Sequence, residues 1–187
     1  MQKQSEKIDL YDEVSNPIDG LEDIMLRNDW IFERRTEDEL TVQISGRMGE
    51  YKLAFVWQEE FCAMQFICAP DLRIHADHYE EAAQAINDIN SKLWLGHFDM
   101  RLNTYAGHNV EENASDALQS TAIPCFRHTT LMRGQVEGSG VEPMEDLIDV
   151  ALAECERYYM TFQLLSETAA KDANQLSFAM MDVAGSS

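Results

Sequence analysis

Apolar positions recur at every second residue in the first half of the chain, most plainly at Leu40, Val42 and Ile44 and then at Tyr51, Leu53, Phe55 and Trp57. A period of two sends alternate side chains to opposite faces of an extended strand. The spacing therefore predicts strands in "WIFERR", "ELTVQIS" and "EYKLAFVWQ", each with one buried face. A fourth, "CAMQFICA", follows Glu59 and Glu60 and is ended by Pro70, which cannot donate to a ladder. The connections "TED" and "GRMG" are short and polar or glycine-containing, as hairpins require, so the four strands are expected to form an antiparallel meander.

Helical spacing flanks this block. Asn16 stands where an N-cap belongs and Pro17 at the first helical position, with Ile18, Leu21, Ile24 and Met25 on one face. "ADHYEEAAQAINDINSKLWL" carries a stripe of Tyr79, Ala82, Ile86, Ile89 and Leu93, and Gly96 is expected to cap it. Two more strands are predicted, "HFDMRLNTY" and "IPCFRHTTLM", separated by a polar segment, 106–121, long enough to project from the fold. After the glycine-rich "GQVEGSGVEP" one long helix is expected, with a stripe running from Met144 through Ile148, Cys155 and Tyr159 to Phe162. A last amphipathic segment, 169–183, offers Ala173, Leu176, Met180 and Val183.

The order of helix, four strands, helix, two strands, long helix and tail helix predicts an α+β fold: an antiparallel sheet, meander plus hairpin, with helices on one face. A chain of 187 residues, 45% of them apolar, suits one core. We divide it into a lead-in over 1–15, a folded unit over 16–166 and a tail over 167–187.

Charge narrows the partners. Against 14 basic residues stand 34 acidic ones, a formal charge of −20, and such a surface is repelled by phosphate backbones and anionic lipids. Neither nucleic acid nor membrane is expected as a partner. No run approaches the roughly 18 apolar residues of a membrane span, and the first residues lack the apolar core of a signal peptide, so a cytoplasmic location is expected. Cys62, Cys68, Cys125 and Cys155 form no C-x-x-C pair and read as reduced packing residues.

Candidate chemistry is sparse. In "GHFDMRLN" His97 and Asp99 could begin a catalytic dyad, but strand alternation alone places them on one face, opposite Phe98, Met100 and Leu102. No G-x-S-x-G supplies a nucleophile, and Asp99 has two candidate ion-pair partners, Arg101 and Arg127. His75 and His78 are spaced to meet on a helix, yet no H-E-x-x-H is present and further ligands are not evident. The acidic pairs Glu59/Glu60, Glu80/Glu81 and Glu111/Glu112 diverge in direction, and "GSG" at 138–140 lacks the lysine of a phosphate loop. No catalytic residue, metal or cofactor is expected. A metal- or small-molecule-sensing domain around His75 and His78 is the second reading, and a hydrolase using His97 and Asp99 the third.

The stretches "WIFERRTEDELTV", "YKLAFVWQEE", "GHFD", "FRHTTLMRG" and "EDLIDVALAECERYYMTFQ", taken together and in order across 16–163, resemble the bacterial YbjN family, in its alphaproteobacterial form. The segment 106–121 is longer than the family's usual connection. The resemblance implies a non-enzymatic regulator of sensory transduction or stress with a fold similar to type III secretion chaperones, which dimerise and hold extended client segments in apolar grooves. With the apolar stripes of the long helix and of the tail, the expected partner surface is Tyr159 and Phe162 together with Leu176, Met180 and Val183, in a homodimer that binds a protein client.

Overall fold

The computed structural model describes residues 16–102, 121–132 and 141–166. Helix α1 (Ile18–Arg27) leads into the meander β1 (Ile31–Thr36), β2 (Glu39–Ser45), β3 (Glu50–Gln58) and β4 (Ala63–Pro70). A two-residue strand β5 (Ile74–His75) and helix α2 (Tyr79–Asn90) follow, then β6 (His97–Leu102), β7 (Thr121–Leu131), α3 (Val141–Arg157) and α4 (Tyr159–Ser166). All pairings are antiparallel. The meander continues onto β7, which carries β4 and then β5 along one edge and β6 along the other.

The alternation read from the sequence becomes a two-faced sheet. Leu40, Leu53, Phe55, Phe66, Phe98 and Phe126 are all buried on one face. The apolar stripes of the helices close over them, contributed by Ile18, Leu21, Ile24 and Met25 of α1, Ile86 and Ile89 of α2, and Ile148, Ala151 and Cys155 of α3. Burial of this kind is the main favourable term in folding. Edge strand β1 takes the smallest part: Ile31 is 81% exposed and Phe32 only partly covered.

Polar side chains fix the helices to the sheet. Arg34 of β1 donates to Asp19 at 2.6 Å and Glu22 at 3.0 Å on α1. Glu156 of α3 accepts from the Arg47 backbone N–H at 2.8 Å and from its Nε at 2.7 Å, tying the β2–β3 turn to the helix layer. That guanidinium holds the Glu156 carboxyl below the usual carboxylate range. Asn90, the last residue of α2, acts as a surrogate strand for β6: its Oδ1 accepts from Phe98 N–H at 2.7 Å and its Nδ2 donates to Phe98 O at 3.0 Å.

Three sequence expectations are corrected. Helix α2 stops at Asn90, because Asn90 turns its amide to β6 and Ser91 Oγ bonds back to Asp88 O at 2.7 Å, so Gly96 does not cap it. Gly96 instead opens β6 at φ +67°. The long helix is interrupted at Tyr158, although Phe162 N–H still reaches Tyr158 O at 3.2 Å. Tyr158 and Phe162, four residues apart and so on one face, both meet Phe98, at ring-centroid distances of 5.9 and 5.1 Å. Strand β5 had no alternating pattern to announce it. The segment 106–120, the glycines 138–140 and the tail helix over 169–183 lie outside the described residues.

Candidate functional site

The face of the sheet opposite the helices is the natural place to look for chemistry, since the sequence put His97 and Asp99 there. Register aligns His97 with Arg127 and Asp99 with Cys125 across β6 and β7. Arg127 Nη1 donates to Asp99 Oδ2 at 2.9 Å and its Nη2 to Gln65 Oε1 at 3.2 Å, while Asp99 Oδ1 accepts from Met100 N–H at 2.8 Å. Asp99 is thus engaged by a guanidinium and a backbone amide, and His97 stands exposed beside it.

Cys125 is the neighbouring nucleophile that a Cys–His reading would need. Its thiol is 2% exposed, and burial first and the Asp99 charge second push its pKa up to about 11. A thiol so protonated is a poor nucleophile at neutral pH. Cys155 is pushed well above its ordinary value by its hydrogen bond to Cys68 and by burial, with the two sulfurs 3.7 Å apart. His97→Ala is expected to leave stability within about 0.5 kcal/mol in a urea melt and to complement a deletion strain fully. Loss of function with an unchanged fold would revive the catalytic reading.

His75 precedes, and His78 ends, the 3-10 turn over Ala76–His78 that leads into α2. His75 Nδ1 accepts from Asp77 N–H at 3.4 Å, which makes the imidazole a cap of that turn. Among the described residues, no group of three or more His, Cys, Asp or Glu side chains is placed to hold a metal ion.

Of the surface expected to meet a partner, Phe162 is fully buried against Phe98, and its ring belongs to the core. Tyr159 is partly exposed, with its hydroxyl 3.1 Å from where a side-chain carbon at Gly49 would stand. Leu176, Met180 and Val183 lie outside the described residues.

Two features escaped the sequence. Trp94, in the link between α2 and β6, is fully exposed beside the partly exposed Leu95, whereas the sequence placed both inside a helix. Among the described residues, the sheet face opposite the helices also holds a trough of about 340 Å³, floored by Ala54, Ile67, Ala69, Ile123 and Cys125 and edged by Arg35, Lys52 and Arg101. Its residues come from six strands, so no local pattern could reveal it.

No helix among the described residues is long and apolar enough to cross a membrane. No curated protein shows significant similarity to the chain. Among solved structures it is similar to YbjN of E. coli, described as a "putative transcription regulator", with 10% identity and a TM-score of 0.45, over 76% of this chain and 93% of that one. A family model described as "putative bacterial sensory transduction regulator" matches residues 17–164. That description is one of a regulator rather than an enzyme, and the match covers every strand of the sheet, α1 to α3 and most of α4. The chain belongs to the YbjN family.

Proposed function

We propose that the chain is a non-catalytic, cytoplasmic protein-binding module, a sensory-transduction or stress regulator that acts as a homodimer and holds segments of a client protein in the manner of secretion chaperones. The observation that carries this reading is the full exposure of Trp94. Tryptophan buries more area than most side chains and is enriched at the energetic centres of protein interfaces, so leaving one in water is costly unless something covers it. Met160 on α4 is also about half exposed, and Tyr159 partly so. Leu176, Met180 and Val183 of the tail over 167–187 complete the proposed partner surface around the 16–166 unit, with Phe162 packed beneath as its support.

Sedimentation and circular dichroism test this together. The full chain is expected to sediment as a dimer at micromolar concentration. Trp94→Ala, or removal of residues 168–187, should weaken self-association or client binding at least tenfold while the melt stays cooperative. A strictly monomeric chain that binds no apolar dye would overturn the reading.

A further inference from the structure

The trough on the open sheet face is built by size contrast. Ala54 and Ala69 lie on adjacent strands, with Ala54 aligned to Ile67 and Ala69 to Lys52, so short side chains form the floor where long ones border it. It runs from Arg35 on β1 to Arg101 on β6. Five gaps between paired strands, each about 4.8 Å, put these two strands roughly 24 Å apart, the reach of about seven extended residues.

The border has the opposite charge to the molecule. Three cations and one carboxylate, Glu39, line the trough in a chain whose formal charge is −20. Among the described residues Lys52 and Arg101 have no carboxylate partner, and Arg35 approaches Glu33 and Glu39 no closer than 3.8 and 3.9 Å. Lys52 and Arg101 are therefore free to meet an anion, while Arg35 would exchange two long carboxylate contacts for a closer one. The acids of the helix layer lie beyond the sheet and are largely screened over the Debye length of roughly 8 Å at physiological salt.

We propose that this trough binds an extended acidic peptide segment, laid across the strands with small apolar side chains on the alanine floor and carboxylates at Lys52, Arg101 and Arg35. The inference rests on the protein-binding reading and names the chemistry of one bound segment. A peptide suits the trough better than a small organic acid, because the hollow is shallow and long and would leave a compact ligand largely in water.

The test uses the full chain and a fluorescein-labelled peptide of about eight residues alternating Glu and Val, with a Lys-for-Glu counterpart, read by fluorescence anisotropy at physiological salt. Saturable binding of the acidic peptide alone is expected. Lys52→Glu combined with Arg101→Glu should weaken it at least tenfold, and so should Ala54→Trp, which fills the floor without changing charge; unchanged circular dichroism melts would show that both variants fold. Equal binding of the lysine peptide, no binding of either, or binding that survives both variants would overturn the proposal. Displacement of the peptide by octanoate at similar concentration would overturn it in favour of a small-acid site. Conversion of a dimer to monomer by Ala54→Trp, without peptide binding to the original chain, would assign the face to a second copy. The Trp94 and tail experiments judge the protein-binding reading independently of these outcomes.

Discussion

Phe98→Ala is expected to lower the unfolding free energy by about 4 kcal/mol, the usual cost of truncating a fully packed phenylalanine. Phe98 is 2% exposed, and its ring lies 5.7 Å from that of Phe126, 5.9 Å from Tyr158 and 5.1 Å from Phe162. The side chain therefore joins β6 and β7 to α4 and to the junction between α3 and α4. Three aromatic partners lose their edge or tilted contacts at once, each worth about 0.5–1.5 kcal/mol beyond area burial. Because three rigid rings surround the gap, the site cannot collapse easily, which places the cost toward the upper part of the range. Against a typical total of roughly 5–15 kcal/mol, such a loss moves a urea midpoint far. A change below about 1 kcal/mol would show that the ring is not packed as described.

Gly96→Ala should cost about 2–4 kcal/mol, a large effect for a single methyl group. Two independent penalties add. Gly96 has φ +67°, where an L-residue is strained by roughly 1 kcal/mol or more. A Cβ there would also collide with the Phe126 ring and stand 2.8 Å from the Arg127 carbonyl oxygen, and that oxygen is backbone that cannot swing aside. Overpacking of this kind costs about 1–3 kcal/mol. Gly49→Ala is the control: its added carbon meets mainly the Tyr159 hydroxyl at 3.1 Å, at the end of a partly exposed side chain, so a clearly smaller loss is expected. Equal melting of the two variants would contradict the Gly96 geometry.

The alternation in β2, β3 and β4 was legible because burial on one face of a sheet writes itself into neighbouring residues. The same rule placed His97 and Asp99 on one face, and it named Arg127 as one of two partners for Asp99 by charge alone. Which partner it is depends on the register of β6 against β7, fixed by residues nearly 30 positions apart in the chain, and there Arg127 wins at 2.9 Å. Asn90 looked like an ordinary polar residue on a helix; its double hydrogen bond to Phe98 exists only because α2 ends against the outer edge of β6.

The amino-acid order by itself determined the four strands of the meander and the four helix-face residues of α1, since each follows from the geometry of one strand or one helical turn. Tertiary structure alone decided that β7 runs between β4 and β6, that Tyr158 and Phe162 both pack on Phe98, and that residues from six strands meet as a cation-edged trough. Those outcomes are set by pairing between distant segments, whose stability depends on how whole faces fit together and leaves no periodic mark in the chain.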